Sequence, residues 1–169
     1  MDWSATIDKI GPPLLRYFCG SFPRQIADEL VQETIIRLVR KVETGKYDPS
    51  KGSFLKYAYG IARFVKLEGM KALPAETLPG SDFFSDQLPM ESGSPDFGYD
   101  QQLRARKIRA ALLRLPEVQR EILLLILDKD LSLSEIAEIL EMPLGTIKSH
   151  VHRAKRSLQE IVQVEEAIK

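Results

Sequence analysis

Residues 131–156, LSLSEIAEILEMPLGTIKSHVHRAKR, carry the strongest structural signal in the chain. They predict two short helices joined by a tight turn, with Ser134 capping the first helix. Pro143 suits the opening turn of the second helix, because its ring fixes φ and it has no N–H to leave unpaired. In that second helix, apolar residues recur every three or four positions and predict a buried stripe of Ile147, Val151, Ala154, Leu158 and Ile161.

The opposite face of the second helix is polar and basic. Such a helix after a tight turn is typical of a helix-turn-helix, whose second helix enters the major groove of DNA. An ordinary helical hairpin with a solvated basic face is the alternative. The residues predicted to face DNA are Thr146, Lys148, Ser149, His152, Arg153, Lys155 and Arg156.

The composition indicates a folded protein without a membrane span. Of the 169 residues, 44% are hydrophobic and 28% are charged, which is typical of globular domains. There is no run of 18 apolar residues, and the N-terminus lacks the pattern of a secretory signal. Cys19, the only cysteine, fits a reducing compartment and predicts a small core residue. We therefore expect a cytoplasmic protein of one domain or two small ones.

Common enzyme motifs are missing from the sequence. It contains no G-x-x-x-x-G-K-[ST] for phosphates, no H-E-x-x-H and no C-x-x-C. His150 and His152 are two positions apart on a predicted helix, so their side chains diverge and a shared metal ion is not expected. The sequence therefore predicts a binding protein with no enzymatic activity, no cofactor and no metal.

Equal numbers of basic and acidic residues, 24 of each, conceal a segregated pattern. Residues 1–70 hold 11 basic and 8 acidic residues, residues 71–100 hold 1 and 6, and residues 101–169 hold 12 and 10. The acidic middle contains four prolines and has no helical or strand period. It predicts a flexible linker, residues 73–99, between domains at 1–72 and 100–169. Its apolar residues either dock on a partner or on a domain, or have no role: Phe83, Phe84, Leu88 and Met90.

The first two helices of the N-terminal block are predicted at residues 7–18 and 24–43. The first is expected to be broken or kinked by Gly11-Pro12-Pro13. The second has an apolar stripe at helical spacing, made of Val31, Ile35, Leu38 and Val42. Ile36 stands among charges on the outward face, which indicates either a protein contact or packing under a neighbouring helix.

A third helix is predicted over residues 54–70, capped by Ser53 after a turn-rich loop at 47–53. Aromatic and cationic residues alternate along it. Rings that stack on bases and cations that follow phosphates suit a single nucleic-acid strand, while half-buried core tyrosines are the alternative. The inward face is predicted to hold Phe54, Ala58, Ile61 and Val65, the outward face Lys56, Tyr59 and Arg63, and the sides Tyr57, Phe64 and Lys66.

The C-terminal block completes the predicted architecture. A basic helix is expected over residues 103–113, and Pro116 suits the start of the next helix. Residues 118–127 are almost all apolar, so they predict a central core helix beneath the helix-turn-helix. The predicted fold is all-α, with two small helical domains joined by a flexible linker and a helix-turn-helix in the second.

Two parts of the chain carry a family resemblance. Residues 115–158, LPEVQREILLLILDKDLSLSEIAEILEMPLGTIKSHVHRAKRSL, resemble the C-terminal DNA-binding domain of a bacterial sigma factor. ADELVQETIIRLVRKV at 27–42 and YDPSKGSFLKYAYGIAR at 47–63 resemble the sigma domain that binds polymerase and opens the promoter. Two such domains with a short linker are similar to the extracytoplasmic-function (ECF) group of the sigma-70 family.

The resemblance implies an alternative sigma factor that binds core RNA polymerase and directs promoter-specific initiation. Its implied partners are the clamp helices and flap of the polymerase, promoter DNA and an anti-sigma factor. In domain 2, the implied polymerase-binding residues are Asp28, Glu29, Gln32, Glu33, Ile36 and Arg37. The residues implied to melt and capture the −10 element are Lys51, Lys56, Tyr57, Tyr59, Arg63 and Lys66. Domain 4 would read the −35 element with the basic face of its recognition helix.

The sequence also departs from the family pattern. Family members usually have tryptophan where Tyr57 stands and asparagine where Phe64 stands. Two other kinds of protein fit part of the pattern. A non-sigma helix-turn-helix regulator would bind promoters without polymerase, and a helical adaptor would have no sequence-selective affinity for DNA.

Overall fold

The computed structural model describes residues 1–74 and 98–167, and for 164–167 it describes the backbone alone. These ranges contain seven α-helices, one 3₁₀ turn at Pro49–Lys51 and no strand, so the all-α prediction is confirmed. No helix within them has the length and apolar character needed to cross a membrane. The helices are α1 Trp3–Cys19, α2 Arg24–Glu43, α3 Phe54–Ala72, α4 Tyr99–Arg114, α5 Glu117–Ile126, α6 Leu133–Leu140 and α7 Leu144–Ala167.

The first helix differs from its prediction. Although Pro12 and Pro13 lie inside it, α1 runs without a break from Trp3 to Cys19, so the predicted break is wrong, while the alternative of a kink stays a prediction. Asp2 caps the helix, and beyond the prolines Leu14 and Phe18 are fully buried. Packing of this apolar face offsets the hydrogen bonds that the two prolines cannot donate.

The start of α6 also differs from its prediction. Ser132, not Ser134, caps this helix. The Ser132 hydroxyl accepts from the Glu135 N–H at 3.1 Å, and the Glu135 carboxylate accepts from the Ser132 N–H at 3.0 Å. This reciprocal capping box requires an acidic residue or glutamine three positions after the cap, which Ser132 has and Ser134 lacks. At its other end α6 stops at Glu141, in the left-handed region at φ 54°.

The core of the C-terminal block forms as predicted. Ile122 and Leu125 of α5 are fully buried, and Ile136 of α6 and Ile147 of α7 join them. The central position of α5 is confirmed, because it contacts both helices of the helix-turn-helix.

The two helical blocks pack directly on one another, which the sequence did not predict. α1 contacts α5, α3 contacts α6, and one apolar cluster continues through both blocks. The approach is tight at Gly20, where an added Cβ would lie 2.2 Å from Leu124 Cδ1. Part of α3 is therefore covered by the other block, while Phe64 and Leu67 of the same helix stay exposed.

Two further predictions concern single residues or short segments. Cys19 is buried at the end of α1, and burial raises the pKa of its thiol to about 12, which confirms its role as a core residue. The apolar residues between 83 and 90, predicted either to dock or to have no role, lie outside the described residues.

Candidate nucleic-acid interface

The second helix of the helix-turn-helix presents the basic face that the sequence predicted. Buried Ile147 and Ala154 fix its orientation against the core. On the far side, six residues of the predicted set are exposed and Thr146 is half-buried. Arg156 pairs with Glu160 at 3.3 Å on the surface, a contact that adds little stability. The exposed six are Lys148, Ser149, His152, Arg153, Lys155 and Arg156.

The predicted polymerase-binding surface lies on α2. Ile36 is 46% exposed in the middle of this helix, so the prediction that it faces outward is confirmed. Arg37 contacts Glu33 at 2.6 Å and reaches across to Glu68 of α3 at 2.7 Å. These hydrogen bonds, first to Glu68 and then to Glu33, raise the pKa of Arg37. Arg37 thus holds α2 against α3, while Asp28 pairs with Arg24 at 3.2 Å.

The loop before α3 is held by local hydrogen bonds. Asp48 accepts from both the N–H and the hydroxyl of Ser50, at 2.9 and 2.7 Å, and these bonds lower the pKa of Asp48. Gly52 has φ 146°, a conformation that favours glycine. Ser53 then caps α3 by accepting from the Lys56 N–H at 3.1 Å, as predicted.

A cavity of about 360 Å³ opens between this loop, α3 and α6. Tyr47 and Tyr57 line the cavity, and their ring centres lie 5.2 Å apart. Phe64, 61% exposed, is a further aromatic residue of the lining. Cations surround these rings, and three acidic residues also line the cavity. The charged lining residues are Lys41, Lys46, Lys51, Lys56 and Arg63, with Asp48, Glu138 and Glu141.

The other side of α3 is buried, contrary to prediction. Tyr59 was expected to face outward and Lys66 to lie at the side, but they are only 1% and 2% exposed. Tyr59 packs edge-on against Tyr17 at 5.6 Å and donates to Asp128 at 3.2 Å. The prediction is wrong because α3 packs both on its own block and on α6, and its side chains also pair with α5.

Lys66 lies at the centre of an ionic cluster between the blocks. Its ammonium contacts Glu117 at 2.7 Å and Glu121 at 3.3 Å, and lies 5.3 Å from the centre of the Tyr17 ring. Burial acts to raise the pKa of Glu117, but the charges of Lys66 and Arg120 outweigh it and lower that pKa. The two cations therefore favour the ionised form of the Glu117 carboxyl group.

Further polar contacts extend the cluster along the interface. Arg63 contacts Glu121 at 3.2 Å, and Tyr17 donates to the same carboxylate at 2.5 Å. Towards the start of α3, Lys56 pairs with Glu138 of α6. Three of the six residues predicted to bind the −10 element are thus paired with carboxylates of the C-terminal block.

Sequence reasoning missed these carboxylates, although one signal was present. Glu121 is the only charged residue in EILLLI, the apolar second half of α5, and it is only 7% exposed. A carboxylate at a core position is almost never buried unless it is paired. It therefore predicts a buried cation, but the linear sequence does not say which one.

His150 and His152 differ in their exposure on α7. His152 is exposed on the basic face of α7, whereas His150 is half-buried. Among the residues that the structure describes, no group of three or more potential ligands is placed to hold a metal ion.

Two sigma-factor families match this chain in sequence. Residues 11–71 match sigma-70 region 2, and residues 105–158 match sigma-70 region 4. The ECF RNA polymerase sigma factor EcfG of Rhodopseudomonas palustris is 30% identical over 158 residues, covering 92% of this chain and 82% of that protein. The ECF sigma factor SigE of Mycolicibacterium smegmatis is 31% identical over 137 residues. That match covers 79% of this chain, which spans about half (51%) of SigE.

A solved structure resembles the whole arrangement. The sigma factor RpoE of Bartonella quintana, solved in complex with the anti-sigma factor NepR, is 26% identical and superposes with a TM-score of 0.69. The superposition covers 96% of this chain and 98% of that chain, so it includes both helical blocks. The chain belongs to the ECF sigma factors of RNA polymerase.

Proposed function

We propose that this chain is an alternative sigma factor that works in the cytoplasm and directs core RNA polymerase to specific promoters. Residues 1–72 form sigma domain 2, and residues 100–169 form sigma domain 4. The observation that carries the proposal is the exposed basic face of α7 on a region 4 helix-turn-helix, in the same chain as a match to sigma-70 region 2.

The −35 element is assigned to α7. Ser149, His152 and Arg153 lie on the exposed face and are the candidates for base edges in the major groove. Lys148, Lys155 and Arg156 lie beside them and are suited to phosphates. Thr146, half-buried in the first turn, is assigned to the DNA backbone where α7 would enter the groove.

Polymerase binding is assigned to the outer face of α2. An exposed apolar residue surrounded by charges is the usual composition of a protein contact. Ile36 supplies the apolar contact, and the charged and polar residues around it would bind the clamp helices. These residues are Asp28, Glu29, Gln32, Glu33 and Arg37. From the resemblance to sigma factors, we also assign domain 4 to the flap of the polymerase.

The −10 element is assigned to α3 and the loop before it. Lys51 is exposed, and Tyr57 lines the cavity beside Phe64. Tyr59 and Lys66 are buried, and Lys56 and Arg63 are paired with the C-terminal block. Capture of single-stranded DNA by all six predicted residues therefore requires the blocks to separate. An anti-sigma factor is the proposed regulator, because RpoE of Bartonella quintana was solved with one.

Run-off transcription tests the proposal directly. The full chain is mixed with purified core polymerase and a pool of genomic fragments. We expect discrete transcripts that require both the chain and the polymerase, and their start sites would define the promoter. If the chain binds promoter fragments alone but adds no transcript with core polymerase, it is a helix-turn-helix regulator and the proposal is wrong.

A further inference from the structure

The C-terminal block contacts the α3 cations through a row of carboxylates. Glu117, Glu121 and Glu138 lie against Lys66, Arg63 and Lys56, which are spaced along one side of α3. Ser53, which caps α3, also donates to Glu135 of α6 at 3.1 Å. The row thus follows α3 from its cap to Lys66.

Carboxylates and phosphates are similar ligands for these cations. Both are anionic, both accept charge-assisted hydrogen bonds, and both are bound by the same lysine and arginine groups. Lys66 is 2% exposed with its ammonium between two carboxylates, so it cannot reach a phosphate while the blocks remain packed. Tyr59, beneath the same interface, cannot stack on a base.

We propose that the C-terminal block is an internal competitor for the nucleic-acid-binding face of α3. In the free chain its carboxylates occupy Lys56, Arg63 and Lys66, and single-stranded DNA and the C-terminal block bind that face in alternation. The identity of the nucleic acid rests on the proposed function. The closed state, in which the two blocks are packed together, is a property of the free chain and is measurable without polymerase.

The contacts explain why the closed state depends on charge. Lys66 is buried, and a buried ammonium is tolerated only when paired. Neutralising Glu117 and Glu121 leaves that ammonium without a counter-charge in the closed state, while in the open state water solvates it. The Glu117→Gln/Glu121→Gln variant therefore shifts the equilibrium towards separated blocks.

Competition also has a thermodynamic consequence for DNA. When only a fraction of molecules is open, the apparent dissociation constant for a ligand of the open state is increased by the reciprocal of that fraction. A chain that is open in about one molecule in ten should therefore gain about tenfold in affinity when it is opened. The coupling is reciprocal, so single-stranded DNA should also open the wild-type chain.

The experiment compares three full-length chains by small-angle X-ray scattering and by binding of a mixed-sequence 20-nucleotide single-stranded DNA. They are the wild type, Glu117→Gln/Glu121→Gln and the control Asp100→Asn/Asp130→Asn. The control removes the same charge from exposed positions of the C-terminal block. It thereby corrects for general attraction of a less acidic chain to DNA.

We expect the wild type and the control to have a radius of gyration of about 15 Å, as a compact chain of this length does. The Glu117→Gln/Glu121→Gln chain should rise towards roughly 20 Å, the size expected for two separated blocks. It should also bind the DNA at least several-fold more tightly than the control. A variant that stays as compact as the wild type, or binds no better than the control, overturns the proposal.

If circular dichroism shows that the variant has lost its helices, the surface pair Lys56–Glu138 decides. Lys56→Glu and Glu138→Lys should each enlarge the chain, and the combined variant should restore the wild-type radius. If the single variants are not enlarged, or if the combined variant is as enlarged as they are, the proposal is wrong. None of these measurements uses polymerase. The proposal that the C-terminal block competes with DNA can therefore be wrong while run-off transcription still establishes that the chain is a sigma factor.

Discussion

Two basic helices of this chain, α3 and α7, are predicted to contact DNA, but they differ in how far their basic faces are exposed. On α7, one face is buried in its own block and the basic face is exposed. On α3, the expected outward face is itself packed, and its cations are paired with carboxylates from the other block. The difference shows that helical periodicity identifies a helix's contact with its own core but not a second contact made by a distant segment.

The largest expected effect tests the burial of Lys66. Lys66→Met removes one partner of a buried ion pair and leaves Glu117 and Glu121 without it, which should lower the free energy of unfolding by about 3 kcal/mol. Lys148→Met, on the exposed face of α7, should change it by less than about 0.5 kcal/mol. Urea denaturation of both variants measures the difference. Equal losses of unfolding free energy in the two variants would show that Lys66 contributes no more to stability than an exposed lysine, and would contradict the comparison.

Arg153→Ala should have the opposite profile, with a large effect on binding and little effect on stability. Loss of a bidentate base contact costs about 1–3 kcal/mol, which is roughly a 5- to 150-fold reduction in discrimination. Transcription from wild-type and −35-mutated promoters measures it. Glu160→Ala on the same helix is the control and should keep normal discrimination. If Arg153→Ala transcribes every promoter normally, the proposed recognition face of α7 is wrong.

Glu33→Ala tests a third surface, the proposed polymerase contact on α2. This surface is exposed, but its side chains also pair with one another. The carboxylate lies in the proposed contact and also binds Arg37 at 2.6 Å. We expect affinity for core polymerase to fall about tenfold, near 1.4 kcal/mol. Binding to core polymerase by fluorescence anisotropy measures this, with exposed Gln25→Ala on the same helix as the control. Affinity retained by Glu33→Ala would remove this part of α2 from the contact.

The smallest effect concerns the cap that positions the helix-turn-helix. Ser132→Ala removes the hydroxyl from the capping box and should cost about 1 kcal/mol of stability. Ser134→Ala removes a hydroxyl that does not cap the helix and should stay within about 0.5 kcal/mol. Thermal denaturation separates the two. A larger loss for Ser134→Ala would restore the cap predicted from sequence.

Local rules predicted much of the fold. The apolar stripe of α7 and the bounds of α2 follow from periodicity, because the contacts of these helices are mainly within their own blocks. The core position of α5 follows from its almost continuous apolar run. Of the two alternatives for α1, a break or a kink, the break is wrong, because burial of Leu14 and Phe18 offsets the effect of the two prolines. The cap of α6 lies at Ser132 and not at the predicted Ser134, because Glu135 completes a capping box with Ser132.

Contacts between distant segments explain the failure on α3. Tyr59 and Lys66 have the sequence pattern of exposed nucleic-acid-binding residues, and their partners Asp128, Glu117 and Glu121 lie at least 50 positions further along the chain. Only Glu121, a carboxylate in an apolar run, indicated that a buried cation was needed.

Lysine acetylation of the free chain tests the central comparison most directly. Three lysines are followed by mass spectrometry: buried Lys66, exposed Lys71 on the same helix, and exposed Lys148 on α7. We expect Lys71 and Lys148 to react quickly and Lys66 to be strongly protected, with protection lost in Glu117→Gln/Glu121→Gln. If Lys66 reacts as fast as Lys71 in the wild-type chain, α3 is not covered and the account of the closed state is wrong.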